Sequence, residues 1–253
     1  MFPLRDENPT ELTPIVTVAI IAANVAAWLF LQNLGVGPRF VESLCRFGTI
    51  PGELTGRIGE GSLIRLGPYR CEAGGAAWST LWTSMFLHGG WMHLIGNMWF
   101  LWVFGNNIED SMGHVKFAIF YLLTGTVAAA AHVLSAAGSG IPTVGASGAI
   151  SGVMGAYLLL YPRVRIYTLF FFFLFIRIIP LPAWLLLGYW FFLQLLLGTS
   201  APAAGGGVAF WAHVGGFVSG LALVKLFERR TGVEVRRGAA PSGWGGGGRF
   251  GGH

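Results

Sequence analysis

The chain has 253 residues, of which 54% are hydrophobic and only 11% are charged, whereas a typical soluble domain carries roughly 25% charged residues. Its mean hydropathy is +0.63 and its formal net charge is +5. So few charged side chains cannot cover a soluble protein of this size. The basic residues are scattered and form no stripe interleaved with aromatic residues, which argues against nucleic-acid binding. The composition indicates a polytopic membrane protein.

Apolar segments divide the chain into membrane spans, because a helix needs about 20 apolar residues to cross ~30 Å of hydrocarbon. Six segments meet or approach that length. They predict an all-α, six-helix membrane domain over about 15–227, preceded by a short segment at 1–14. The predicted spans are 15–34, 91–108, 115–136, 147–161, 182–198 and 207–227.

The distribution of Lys and Arg predicts the orientation of these spans. With six spans, the two termini and the second and fourth loops share one side, and that side carries eleven of the sixteen basic residues. The other five lie in the first loop. The positive-inside rule then places both termini in the cytoplasm. The strong preference for Arg over Lys, with abundant Gly and Ala, is typical of a bacterium, so we expect the bacterial inner membrane.

Two segments lie outside the spans. The first loop, about 35–90, is long for a bare connection and carries four Glu beside its five Arg, so we expect it to fold on the outer surface. Its Cys45 and Cys71 are too few for a disulfide framework or a zinc site, and they form either one loop disulfide or two unpaired thiols. Residues 228–253 are predicted as a disordered cytoplasmic tail, since eight of the sixteen residues from Gly238 onward are Gly.

The fourth span is too short for the bilayer. It opens with Gly-Ala-Ser-Gly at 145–148 and stops at Pro162, so a helix from Ser147 covers only ~22 Å at 1.5 Å per residue. Arg163 and Arg165 hold its cytoplasmic end at the interface, which leaves the deficit at the other end. We therefore expect Ser147 at a helix start on the floor of a cavity open to the outside, beside free backbone N–H groups.

Ser147 is a candidate nucleophile, but a serine hydroxyl needs an adjacent base. His213 is the best candidate base, because it lies about one turn inside the sixth span at a similar depth on the outer side. His213, Gly216 and Gly220 share one helix stripe, and Ser147 and Ser151 share another. Small residues on facing helices let the backbones approach, as a Ser–His hydrogen bond of ~2.6–3.2 Å requires.

Acidic residues are absent from a long central part of the sequence, and this absence bears on the candidate site. All of them lie at or before Asp110, or at or after Glu228. No carboxylate on the helices of Ser147 or His213 can orient the imidazole, so a serine hydrolase here would use a Ser–His dyad. In the second span, His93 and Asn97 share one face near the outer end, where their donors could stabilise an oxyanion.

Simpler interpretations apply to other polar and aromatic residues. His88, just before the second span, could support the oxyanion cluster, and His132 near the outer end of the third span is assigned a structural role. Two sets of aromatic residues are expected to face lipid or the interface: the Phe run at 170–175, and Trp184, Trp190, Phe191 and Phe192.

Three motifs together resemble the rhomboid family of intramembrane serine proteases. They are Gly-Ala-Ser-Gly at 145–148, Ala-His-Val-Gly-Gly at 212–216 with Gly220, and His88-Gly-Gly-Trp-Met-His93-Leu-Ile-Gly-Asn97. The resemblance implies a six-helix rhomboid fold in which Ser147 is the nucleophile and His213 the general base. It further implies an oxyanion hole formed by His93, Asn97 and the Ser147 backbone N–H. The supporting residues in the same motifs are His88, Gly145, Gly148, Gly216 and Gly220.

The resemblance also implies an activity. The family cuts single-pass transmembrane proteins near the outer ends of their helices, without a metal or cofactor, and the fifth span and loop 199–207 would act as gate and lid. Two features depart from the family pattern. Ser151 occupies a position where some members place a Tyr that stacks on the catalytic His, so a Phe or Trp from another helix could take that role. The first loop reads Ala-Trp-Ser-Thr at 77–80, where some members have a Trp-Arg pair.

Two other functions remain open beside the leading hypothesis of an intramembrane serine protease. A rhomboid-like pseudoenzyme would bind membrane helices without cutting them, but it would not need an intact Ser and His. A channel or small transporter would need a continuous polar path, for which the acid-free last three spans offer no cytoplasmic half, and the chain shows no internal repeat. The sequence identifies neither the preferred cleavage site nor the oligomeric state.

Overall fold

The computed structural model describes residues 1–172, 175–200 and 208–229, and within these ranges the chain is mostly helical. The helices are α1 (Ile15–Ala26), α2 (Gly37–Phe47), α3 (Pro51–Leu54), α4 (Thr80–Thr83), α5 (Trp91–Met112), α6 (His114–Ser135), α7 (Ser147–Leu160), α8 (Ala183–Ser200) and α9 (Phe210–Phe227). The strands are β1 (Phe2–Asp6), β2 (Leu63–Leu66), β3 (Tyr69–Glu72), β4 (Arg165–Phe172) and β5 (Phe175–Pro182). Most of the predicted tail, and of the predicted lid at 199–207, lies outside the described residues.

Three of the described helices, α6, α8 and α9, are long and apolar enough to cross a membrane, judged by length and composition. Two apolar helices are shorter: α7, and α1 together with the π-helical turn that extends it to Leu31. The second predicted span coincides with α5, a 22-residue helix. These helices fit a polytopic membrane protein.

Helix α7 forms the centre of the helical core. Eleven of its fourteen residues are buried, as expected for a helix that is apolar on all sides, and it packs against α5, α6, α8 and α9. Its contact with α9 is made backbone to backbone. A Cβ at Gly220 would overlap the carbonyl oxygen of Gly152, and a Cβ at Gly155 would overlap that of Phe217. Glycine is therefore required at this crossing.

The expectation of an all-α chain missed two small sheets. Strands β4 and β5 form an antiparallel hairpin, and β1 pairs with β4 with Phe2 opposite Leu169, giving the order β1-β4-β5. The first three residues of the Phe run predicted to face lipid thus lie in β4, although Phe171 remains 65% exposed. Aromatic and β-branched residues favour a pleated strand when a partner is available, and that partner comes from the amino terminus.

The first loop folds into a structure of its own. Strands β2 and β3 form a hairpin, and the Cys45–Cys71 disulfide joins α2 to β3. The sequence left open either a disulfide or two unpaired thiols, and the structure contains the disulfide. Ile50 and Ile64 pack beside this disulfide in a small core. A backbone bridge between Thr49 and Thr143 ties the loop to the segment that leads into α7.

Candidate active site

Ser147 and His213 come together at the facing amino-terminal ends of two helices. Ser147 is the first residue of α7, and His213 lies in the first turn of α9. The Ser147 Oγ is 2.8 Å from the His213 Nε2, within the range of a hydrogen bond between a nucleophile and its base. The imidazole is 8% exposed. Close packing of α7 on α9 permits this distance, because a Cβ at Gly216 would overlap the carbonyl oxygen of Gly148.

The other imidazole nitrogen of His213 contacts a residue that sequence reasoning missed. Gln194 of α8 places its Oε1 2.8 Å from the His213 Nδ1, and the Gln194 side chain is buried. The expected dyad followed from the positions of the carboxylates alone, and none of the described residues brings a carboxylate to this imidazole. A signal was nevertheless present, because Gln194 interrupts an otherwise apolar helix, and polar side chains inside the membrane are costly.

An aromatic ring from α8 lies beside the imidazole. The Trp190 ring centroid is 5.7 Å from that of His213, with the planes tilted by 37°. Ser151 does not contact the imidazole through a ring, and its Oγ instead donates to the Ser147 carbonyl oxygen at 2.6 Å. Trp190 and Gln194 are four residues apart and so lie on one face of α8. That face supplies both an aromatic neighbour and a polar partner for His213.

His93 and Asn97 lie against the residue that turns the chain into α7. Gly145 has a φ of +130°, and a Cβ there would lie 2.8 Å from the His93 Nε2 and 3.6 Å from the Asn97 Nδ2. The Gly89 N–H donates to the His93 Nδ1 at 3.3 Å, so the neutral ring carries its proton on Nε2. Asn97 Nδ2 is buried without a hydrogen-bond partner among the described residues. Two side-chain donors therefore lie beside the start of α7.

His88 lies one layer behind His93 and does not reach Ser147. Its ring is fully buried and packs edge-on against His93, with ring centroids 5.1 Å apart. Gln32 fixes its backbone, accepting from the His88 N–H at 2.8 Å and donating to the His88 carbonyl oxygen at 2.7 Å. Burial, with a smaller contribution from the charge of His93, lowers the pKa of His88 to about 3. His88 is therefore neutral and supports His93 by packing.

The candidate site opens onto one cavity of about 640 Å³. Ser147, His213, His93 and Asn97 all line it, and so does His132, which the sequence assigned a structural role. Its lining is mainly apolar with a few polar side chains, as is usual in ligand-binding clefts. Within the described part of the chain, no three His, Cys, Asp or Glu side chains converge as metal ligands.

The arrangement suits acyl transfer. A hydroxyl faces an imidazole nitrogen, two side-chain donors lie nearby, and the first N–H groups of α7 have no partner within the helix. A tetrahedral oxyanion formed at Ser147 would have donors from α5 and from the start of α7 within reach. Gly145 keeps a side chain away from His93 and Asn97, and Gly148 lets α7 pack closely on α6, since a Cβ there would overlap that of Ala128.

Comparison with known proteins identifies relatives of one kind. Residues 75–230 match the family model described as the Rhomboid domain. The RHOMBOID-like protein 6, mitochondrial, of Arabidopsis thaliana is 29% identical over 168 residues, which cover 61% of this chain and 54% of that protein. The Rhomboid-like protein 11, chloroplastic, of the same plant is 35% identical over 83 residues, covering 33% and 29%. The Rhomboid protease GluP of Bacillus subtilis (strain 168) is 32% identical over 145 residues, covering 57% and 24%.

The aligned part of this chain spans at most about half the length of these three relatives. The matched region includes the described elements from α4 to α9, and thus Ser147, His213, Gln194, His93 and Asn97.

Proposed function

The chain belongs to the rhomboid family of membrane-embedded proteins, and from that premise we propose that it is an intramembrane serine endopeptidase. The proposal rests on one observation above all, the 2.8 Å contact between the Ser147 hydroxyl and the His213 Nε2 at the floor of the cavity. Its substrates are single-pass transmembrane proteins, cut near the outer ends of their helices. The reaction needs no cofactor or metal, because both proton transfer and charge stabilisation come from side chains and backbone.

In the acylation step, the Ser147 Oγ attacks the scissile carbonyl carbon while His213 Nε2 accepts the hydroxyl proton. The carbonyl π electrons move to oxygen, and the oxyanion receives hydrogen bonds from His93 Nε2–H, Asn97 Nδ2–H and the Ser147 backbone N–H. The C–N bond then breaks, and the imidazolium gives its proton to the leaving amine. An ester between Ser147 and the amino-terminal part of the substrate remains.

In the deacylation step, a water molecule that enters through the cavity attacks the ester carbonyl and gives a proton to His213 Nε2. The ester C–O bond breaks, and the imidazolium returns the proton to the Ser147 oxygen. The peptide acid leaves, and the enzyme is restored. A cavity of about 640 Å³ that contacts both side chains provides a path for this water. His88, Gly145, Gly148, Gly216 and Gly220 act as supporting residues that hold the reacting groups in place.

The membrane arrangement belongs to the same proposal. Six helices cross the bilayer, α7 begins inside it, and both termini face the cytoplasm of a bacterial cell. Two of the relatives are named as mitochondrial and chloroplastic proteins. The proposed bacterial inner membrane therefore rests on this chain's preference for Arg over Lys and on its abundant Gly and Ala. The disulfide of the first loop supports the outer placement of that loop, because disulfides persist in oxidising compartments.

Reaction of the detergent-solubilised protein with a fluorophosphonate probe tests the proposal. We expect a covalent label on Ser147, located by mass spectrometry of the labelled peptide, and no label in the Ser147→Ala or His213→Ala protein. The double variant should be no worse than either single variant, because the two groups act as a unit. As a matched control, Ser135→Ala removes an exposed hydroxyl from the end of α6 and should label like the wild type.

Cleavage of a transmembrane test substrate in liposomes completes the assay. A folded wild-type protein that neither labels nor cleaves would favour the pseudoenzyme, which binds membrane helices without cutting them. Equal cleavage by wild type and Ser147→Ala would contradict the assignment of the nucleophile.

A further inference from the structure

The contact between Gln194 and His213 assigns a function to a residue that the proposed dyad does not use. A buried imidazole that serves as a base must present the lone pair of one nitrogen to the hydroxyl, so the proton of the neutral ring must be on the other nitrogen. In the described structure, Gln194 Oε1 contacts that other nitrogen, Nδ1, at 2.8 Å. An amide oxygen can only accept a hydrogen bond. The pair is therefore formed when Nδ1 carries the proton.

The same contact serves both protonation states of the imidazole. When His213 takes the Ser147 proton, Nδ1 keeps its own proton and continues to donate to Gln194 Oε1. The amide is neutral and takes up no proton, so it orients the ring without changing the charge of the site. This matters because the imidazole shares its cavity with two further histidines, His93 on α5 and His132 on α6.

Packing holds the amide where it is needed. Phe191 of α8 stacks on Phe217 of α9, with ring centroids 4.6 Å apart, and Trp190 contacts the same ring at 6.0 Å. Trp190 also covers one side of His213 at 5.7 Å. These contacts fix the face of α8 that carries Gln194 against the helix that carries His213. The amide position is thus set by three aromatic contacts besides its own hydrogen bond.

We propose that Gln194 is a positioning residue that completes a Ser147–His213–Gln194 triad, in which its Oε1 accepts the His213 Nδ1–H and directs the Nε2 lone pair at the Ser147 hydroxyl. This inference rests on the proposed protease function and adds to it a third member carried by α8. The orientation of the His213 ring then depends on the packing of α8 against α9, because separating these helices would move the Gln194 Oε1 away from His213 Nδ1.

The test compares variants that differ in their ability to accept this hydrogen bond. Gln194→Met keeps the length and shape of the side chain but has no strong acceptor, and Gln194→Glu keeps an acceptor oxygen. The rate of acylation by a fluorophosphonate probe is measured against probe concentration and pH, which separates the maximal rate from the half-saturating concentration. We expect Gln194→Met to lower the maximal rate by about 10- to 100-fold, the usual effect of losing the outer hydrogen-bond partner of a functional histidine, with little change in the half-saturating concentration.

Gln194→Glu should recover most of this rate, and the acid limb of its pH–rate profile should move to higher pH, because a carboxylate stabilises the imidazolium. If Gln194 had a purely structural role, its substitution would change neither the pH–rate profile nor the ratio of the maximal rate to the half-saturating concentration. Phe192→Leu is the matched control, since Phe192 lies on the same helix and is 57% exposed, and its kinetics should equal those of the wild type.

The outcomes separate the two proposals. Labelling of wild-type Ser147 together with an unchanged maximal rate in Gln194→Met would overturn the triad and leave the protease intact. Absence of labelling in the folded wild type would overturn both. If Gln194→Met does not fold, Gln194→Glu decides alone, because an unmoved pH–rate profile in that protein would show that residue 194 does not contact the reacting imidazole.

Discussion

Asn97 carries a buried amide donor without a hydrogen-bond partner in the described part of the chain. Leaving such a donor unpaired costs about 1–3 kcal/mol, and proteins retain that cost where the donor serves a transient partner. Its neighbour across Gly145 is His93, whose Nε2–H points into the same region. In the proposed mechanism, both donors bind the oxyanion, a charge that exists during the reaction and not in the resting protein.

Asn97→Ala should lower the kcat for cleavage of a transmembrane substrate by roughly 10²-fold, the effect of losing one oxyanion donor, with KM almost unchanged. Its stability should not fall, because the substitution removes an unpaired polar group. Steady-state kinetics in liposomes and a thermal unfolding curve measure the two effects. Asn106→Ala, near the other end of α5, is the control for loss of an amide. An unchanged kcat in Asn97→Ala would exclude this residue from the oxyanion hole.

The contact between Ser147 and His213 could be predicted from the sequence, whereas the contact of Gln194 with His213 could not. Helix spacing and depth were sufficient to pair Ser147 with His213, because both lie in short polar interruptions at matching ends of apolar segments. Gln194 lies in the middle of a helix without a motif around it. Only the three-dimensional rotation of α8 shows that this amide, and not a neighbouring leucine, faces the imidazole.

Among the helices, the crossing of α7 and α9 decides how close Ser147 and His213 can come. Gly152 and Gly220 bring the two backbones into contact, and nothing larger than hydrogen fits at Gly220. The reacting pair lies between about one and a half and two turns away along the same two helices, at 3.6 residues per turn. A small separation at the crossing is thus transmitted directly to the hydrogen bond, since both helices are rigid over that distance.

Gly220→Ala should destabilise the protein by about 1–3 kcal/mol, the usual cost of overpacking a tight contact, and should also reduce acylation of Ser147. Gly188→Ala is the matched control, because a Cβ at Gly188 of α8 meets nothing within 4 Å. That control should be neutral or slightly stabilising, since Ala favours a helix over Gly by about 1 kcal/mol. Equal stability of the two variants in detergent unfolding would contradict the close crossing.

The hairpin of β4 and β5 could not be predicted from the sequence, unlike the apolar helices. The apolar helices are recognisable from length and hydropathy alone, whereas a short run rich in Phe and Ile fits a strand, an interfacial loop or a buried segment equally well. Its partner strand β1 lies about 160 residues earlier in the chain, and a pairing over that distance leaves no local pattern. The first loop differs, since its length predicted a folded unit but not whether Cys45 and Cys71 are bonded.

At the scale of the whole molecule, two carboxylates at the end of α5 hold the amino-terminal segment against the helical core. Glu109 accepts from the backbone N–H groups of Val16 and Thr17 at 2.8 Å, which caps α1, and a buried carboxylate is favourable at a helix amino terminus. Asp110 accepts from the Leu12 N–H at 2.9 Å. These two carboxylates therefore have structural partners among residues 12–17 and fix that segment to the end of α5.

The attachment of the amino-terminal segment depends on pH through Asp6. Its Oδ2 accepts from Asn107 Nδ2 at 2.8 Å and from the Tyr157 hydroxyl, which ties β1 to α5 and α7. Burial raises the pKa of Asp6 to about 6, although these hydrogen bonds oppose the shift. The folded protein therefore holds a proton on Asp6 at pH values where the unfolded chain, with an ordinary pKa of about 3.9, has already lost it.

The free energy of unfolding should consequently fall as pH rises from about 4 to about 6 and level off above, by at most about 3 kcal/mol for a shift of two units. Asp6→Asn should remove most of this slope. Burial also raises the pKa of Glu53 in the first loop, so a residual slope of the same sign should remain. Glu60→Gln, an exposed position, is the control. Unfolding curves across this pH range measure the effect, and an identical slope in wild type and Asp6→Asn would show that Asp6 is ionised in the folded protein.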